Sequence, residues 1–156
     1  YWVERFHRGG DIVCPPDPRR EAAWIDVRDL AKWLVTLAEE DRPGIFNAAG
    51  PASVIDHEQV MYGFRAFSAG PVRLHWPSRE LADETGFRVP WFWPGAKSRH
   101  IGVSASIEAG LTYRSLATTI RDTHEWWLAQ PAERRENARG WPTPKEERAV
   151  LERIAG

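Results

Sequence analysis

The sequence predicts an α/β fold, and three observations predict it. A short β-rich run, Trp24-Ile25-Asp26-Val27, is followed by apolar residues at helical spacing, namely Leu30, Trp33, Leu34, Leu37 and Ala38. A second apolar run, Ile45-Phe46-Asn47-Ala48, follows once Arg42-Pro43-Gly44 has stopped the helix. Strand, crossover helix and returning strand make a parallel pair, which belongs to α/β sheets covered by helices. With 156 residues and 42% apolar content, the chain is long enough for one domain with a real core.

The remaining elements read in order. Tyr1 to His7 is the tail of a helix with Trp2, Val3 and Phe6 on one face, ended by Gly9-Gly10. Asp11 to Cys14 is a short strand, closed by Pro15-Pro16-Asp17-Pro18, whose prolines cannot donate ladder hydrogen bonds. Asp29 stands where the cap of the crossover helix is expected. Asp56 and Gln59 have capping-box spacing, and Val60, Met61, Phe64 and Phe67 give the apolar stripe of a helix ending near Gly70. Val72 to Trp76 alternates as a strand, and Ser78 caps a short helix that Gly86 ends. Phe87 to His100 has no period and reads as an aromatic loop.

Ser104 caps a short helix to Ala109, Leu111 to Tyr113 is extended, and Ser115 starts a helix through about Ala129. Leu116, Thr119, Ile120, Thr123 and Trp127 lie on one side of it. Pro131 to Gly140 is charged and poor in apolar groups, the composition of a mobile linker. Thr143-Pro144-Lys145-Glu146 is a second capping box, opening a last helix with Val150, Leu151 and Ile154. The organisation read from this is a main unit over 1–130, a charged linker over 131–142 and a C-terminal helix over 143–156.

The run IDVRDLA, a helix, and then Gly44-x-Phe46-Asn47-Ala48-Ala49-Gly50-Pro51 resembles the second half of extended short-chain dehydrogenases/reductases, the NAD-dependent epimerase/dehydratase family. Tyr1-Trp2-Val3-Glu4-Arg5, Gly9-Gly10, Ala109-Gly110-Leu111-Thr112-Tyr113-Arg114 and Thr119-Ile120-Arg121-Asp122-Thr123 fall in that family's order at about its spacing. The resemblance implies the C-terminal strands of a partial Rossmann-like sheet with a small mixed α+β substrate-binding subdomain, so that the main unit is a substrate-binding half. It further implies an intact parent that uses NAD or NADP for hydride transfer at a carbinol or carbonyl carbon.

The family's G-x-x-G-x-x-G turn, which holds a pyrophosphate at a helix N-terminus, does not occur in this sequence. Its Tyr-x-x-x-Lys is also absent, because no tyrosine lies four residues before Lys32, Lys97 or Lys145. No catalytic, cofactor-binding or metal-ligating residue is therefore expected here, and no cofactor is expected to bind this chain alone. Beginning on Tyr1 without those motifs, the sequence reads as a fragment, a cleavage product or a truncated chain.

Substrate-binding candidates are Arg28, Trp91, Trp93, Arg99 and His100. Arg28 stands between Asp26 and Asp29 at a strand end, where α/β sheets place ligands; alternatively Asp29 caps the helix and Arg28 pairs with a carboxylate. The family's nucleotide-sugar enzymes carry an Arg-aromatic-hydrophobic-His-Val run at this point. Here Ala22 and Ala23 stand in place of the Arg and Asp26 in place of the His, so the resemblance implies a smaller or less charged substrate. Trp91, Phe92 and Trp93, between two prolines, form either an aromatic pocket wall or a segment packed on the sheet edge. Arg99 and His100 are either an anion contact or a solvated pair.

Several function classes are disfavoured. A formal net charge of −1 from 21 basic and 22 acidic residues leaves no electrostatic footprint for nucleic acid or an anionic membrane. One cysteine, Cys14, excludes an internal disulfide and agrees with a cytoplasmic location. No apolar stretch is long enough to span a bilayer. His7, His57, His75, His100 and His124 do not pair at metal-ligand spacings, and no G-x-S-x-G elbow supports a serine nucleophile. Two readings remain: the substrate-binding portion of an NAD(P)-dependent oxidoreductase or epimerase, with a small-molecule substrate and a Rossmann half as partner, or a self-standing, self-associating binding module.

Overall fold

The computed structural model describes residues 1–89, 101–138 and 140–156, which form a mixed α/β structure, about half helical. Helix α1 (Trp2–Arg8) ends at Gly9, whose φ of 68° suits a residue without a side chain. Strand β1 (Gly10–Val13) follows, and then the two-residue β2 (Glu21–Ala22). Helix α2 (Val27–Glu39) is capped by Asp26. Strand β3 (Ile55–Asp56) leads into α3 (His57–Arg65), and there the Asp56/Gln59 capping box is formed in both directions. Strand β4 (Val72–His75) precedes α4 (Arg79–Thr85), which runs from the Ser78 cap to a left-handed Gly86. Then come α5 (Ser104–Glu108), α6 (Leu116–Leu128, capped by Ser115), α7 (Ala132–Glu136) and α8 (Pro144–Ala155, with the Thr143/Glu146 box).

Strands β1 and β4 pair in parallel, Ile12 opposite Leu74 and Val13 opposite His75, while β2 and β3 make a short antiparallel pair. Ile12, Val13 and Cys14 are wholly buried beneath Trp2 and Phe6 of α1, Val60, Met61 and Phe64 of α3, Ile120 and Trp127 of α6, and Val150 of α8. Phe6 and Phe64 stack at 5.5 Å. Burial raises the Cys14 thiol above its ordinary value, so it behaves as a small hydrophobe. None of the described helices is long and apolar enough to cross a membrane.

Helix α8 is fastened to this core by one buried ion pair. Arg5 Nε donates to Glu147 Oε2 at 2.7 Å, and both side chains are 9% exposed. Glu147 Oε1 accepts the Val13 backbone N–H at 3.0 Å, covering the free edge of β1, and the remaining Arg5 nitrogens donate to the carbonyls of Gly9 and Asp11. The other pair at this helix, Arg153 with Glu84, is more than half exposed and contributes at most about 1 kcal/mol. The buried pair, with the apolar contacts of Val150 and Leu151, holds α8 to the core.

Several sequence expectations are corrected. Residues 24–27 and 45–48 are not strands; the α/β class is present, but among the described residues no sheet exceeds two strands and a Rossmann-like sheet is not seen. The backbone groups of residues 45–49 have no backbone partner among the described residues, and a parallel strand cannot form without a neighbour. Asp26, not Asp29, caps α2, and Val103, not Ser104, precedes α5. The charged stretch 131–142 contains α7, and Trp141 packs on the core.

Removing one partner of a buried pair leaves the other charge uncompensated. Glu147→Ala is accordingly expected to cost about 3–5 kcal/mol in urea unfolding, and Glu84→Ala under about 1 kcal/mol. Equal costs would contradict this assignment.

Candidate functional site

The polar centre of the molecule lies where the N-terminus of α2 meets α6. Asp26 Oδ1 accepts the Arg28 backbone N–H and Nε, each at 2.9 Å, while Oδ2 accepts Arg28 Nη2 at 2.7 Å and the Thr119 hydroxyl at 3.0 Å. Arg28 Nη1 reaches across to Asp122 Oδ2 at 2.6 Å, and Arg121 holds the other oxygen of Asp122 at 2.9 Å. Asp29, buried, accepts the Arg114 backbone N–H at 2.8 Å and pairs with its guanidinium. Carboxylates and guanidinia balance in this network. The Arg28 hydrogen bonds hold the Asp26 carboxyl well below the usual range, outweighing its burial, and those from Arg28 and Arg121 lower Asp122.

An open cleft of about 550 Å³ adjoins these residues. Ile25, Val27 and Trp126 form its apolar walls, with Asp26, Arg28 and Asp122 at its polar side. Because Arg28 is engaged by two carboxylates, it is not free to clamp an anionic group. Its polar side is already engaged within itself, the Thr119 hydroxyl donating to Asp26 and Arg28 to Asp26 and Asp122.

Beside this network, the pieces that carry the family resemblance meet in space. The Trp33 indole donates to the Ala109 carbonyl at 2.9 Å, Ser106 to the Asn47 carbonyl at 2.8 Å, Asn47 to the Gly102 carbonyl at 2.9 Å, and the Tyr113 hydroxyl to the Ala49 carbonyl at 2.7 Å. Gly50 is required where it stands: a Cβ there would lie 2.6 Å from the Tyr113 ring and 2.7 Å from the Trp24 carbonyl oxygen. These bonds tie Asn47 and Ala49 to the 102–113 segment, and Phe46 meets Trp33 of α2 edge-on at 5.6 Å. The outer face of α2 carries Val27, Ala31, Leu34, Val35 and Ala38, one helical stripe, all exposed. Leu34 and Val35 are 53% and 56% exposed, and Ile45 is fully exposed.

Of the sequence-derived site residues, Arg28 lies in the network just described, whereas Trp91, Trp93, Arg99 and His100 lie outside the described residues. The structure brings together a pair that sequence spacing missed. His124 Nε2 faces His7 Nδ1 at 3.3 Å, across 117 residues. The available signal was helical phase, since His124 shares the α6 stripe of Ile120 and Trp127. Among the described residues there is no group of three or more histidine, cysteine or carboxylate side chains placed to hold a metal ion.

With its folded value held below the unfolded carboxyl value of about 3.9, Asp26 contributes stability that is complete above that pH and is lost as pH falls. Asp26→Asn is expected to cost about 1–3 kcal/mol at pH 7 and to flatten the fall in urea midpoint between pH 5 and pH 3. An unchanged acid slope would contradict this. None of the protein-family models, curated proteins or solved structures compared with this chain matches it.

Proposed function

We propose that this chain is the substrate-binding portion of an NAD(P)-dependent oxidoreductase or epimerase of the extended short-chain dehydrogenase/reductase type. Its partner is a nucleotide-binding half bearing the glycine-rich turn and the Tyr-x-x-x-Lys pair. In that assembly NAD or NADP sits on the other half, hydride moves between nicotinamide and substrate carbon there, and the residues described here hold the substrate. The neutralised Arg28 favours a substrate of low charge.

The observation that supports this reading most is the unfinished layer formed by α2 and residues 45–49. Residues 45–49, whose backbone groups have no backbone partner among the described residues, lie beside a helix that exposes an apolar stripe. A neighbouring β-sheet would replace the water on the exposed backbone groups and cover the stripe, with the Asn47 and Ala49 carbonyls already held by Ser106 and Tyr113. The same stripe also supports a second reading, a non-catalytic module that self-associates through α2.

The gene encoding this chain is expected to encode a G-x-x-G-x-x-G turn and a Tyr-x-x-x-Lys ahead of Tyr1, and the joined product to bind NADH or NADPH by fluorescence titration. A product that starts at Tyr1 contradicts the enzyme reading. For the isolated chain, light scattering is expected to show self-association, and Leu34→Glu with Val35→Lys to give a monomer of unchanged far-ultraviolet circular dichroism. A wild-type chain that is cleanly monomeric at all concentrations would show that the stripe needs no cover.

A further inference from the structure

The His7–His124 contact is not part of the cleft or of the unfinished layer. It joins α1 to α6, two helices that cover the same core, and it lies next to the Trp127 indole, which donates to Glu4 Oε2 at 2.6 Å. We propose that His7 and His124 form a two-histidine site for a divalent late transition cation, represented by Zn²⁺, that clamps α1 to α6.

The geometry carries the proposal. Two Zn–N bonds of about 2.0–2.1 Å meeting at the tetrahedral angle separate their nitrogens by about 3.3–3.4 Å, and the facing nitrogens stand 3.3 Å apart. A cation placed between them needs little movement of either ring. The charges nearby favour it: Glu4 lies one turn before His7 on α1 and Glu125 beside His124 on α6, and both carboxylates act on the His124 ring. Arg135 of α7 approaches Glu4 at 3.8 Å without cancelling both carboxylates. Burial, and then the neighbouring His7 ring, hold the His124 imidazole below its ordinary value, so at neutral pH its lone pair is free of a proton.

In the metal-free pair one ring donates its N–H to the other. On binding, that ring moves its proton to its far nitrogen, both facing nitrogens offer lone pairs, and a neutral pair releases no net proton. Imidazole ligands select Zn²⁺, Cu²⁺ or Ni²⁺ over Mg²⁺ and Ca²⁺. Water completes the coordination, so binding is weaker than at a closed four-ligand site.

The test is a Zn²⁺ titration of the whole chain at pH 7.5, read by thermal melting and by nitrogen chemical shifts of the imidazole rings. A rise in Tm of about 3–5 °C is expected at ten times the dissociation constant, with shifts at His7 Nδ1 and His124 Nε2. His7→Gln and His124→Gln are each expected to abolish the rise, and His75→Gln to keep it; the rise should fade as pH falls and protons compete for the ring nitrogens. An unchanged Tm, or a rise that survives both substitutions, overturns the proposal. Should either variant fail to fold, the imidazole shifts of the wild-type chain decide, and shifts confined to other histidines overturn it equally.

Discussion

The charge network around Asp26 and Asp29 sets the position of α2, and much else depends on that position. Asp26 caps the helix and holds Arg28, while Asp29, one turn in, holds the backbone and guanidinium of Arg114. With the N-terminus fixed at two points three residues apart, the rotation of the helix is determined. Trp33 turns inward to Ala109 and Leu111, and the stripe through Val27, Leu34 and Val35 turns outward. The same bonds neutralise Arg28, so the fold that places the cleft also limits what the cleft can hold.

The main core is built on a different principle. A two-stranded parallel sheet is small, and it persists because α1, α3, α6 and α8 cover it and because Glu147 takes the buried Val13 amide that β4 does not reach. Burying that carboxylate is tolerable only with Arg5 beside it, and burying Arg5 only with the Gly9 and Asp11 carbonyls that take its other nitrogens. The groups around Glu147 and Arg5 are thus satisfied, while the buried Tyr1 hydroxyl and His57 Nδ1 on this side have no hydrogen-bond partner among the described residues. On the other side, residues 45–49 have no backbone hydrogen-bond partner among the described residues, and the outer face of α2 is exposed although Phe46 packs on Trp33 of its inner face. Under the proposed function, this exposed face is where a further α/β layer would join.

Local chemistry was legible in the sequence wherever it decides the outcome alone. The caps at Asp56, Ser78, Ser115 and Thr143 and the stops at Gly9 and Gly86 stand where their spacing placed them. Asp26 and Asp29 defeated the same rule because both satisfy it, and a distant residue, Arg114, chooses between them. Runs 24–27 and 45–48 have strand composition, yet composition does not supply a neighbouring strand. Composition also hid α7, whose surroundings include Trp141 packed on the core, and sequence distance hid the meeting of His7 with His124. In the candidate site, Arg28 was identified as a polar centre, but its engagement by Asp122 depends on a residue of α6 that lies 94 positions away in sequence.

Amide hydrogen exchange at residues 45–49 tests the idea of an unfinished layer most directly. In the chain alone these amides should exchange at nearly unprotected rates while those of β1 remain slow. Joined to a nucleotide-binding half, the same amides should slow by orders of magnitude, because a sheet has taken them in. Strong protection at 45–49 in the isolated chain, or no change on joining, would contradict it.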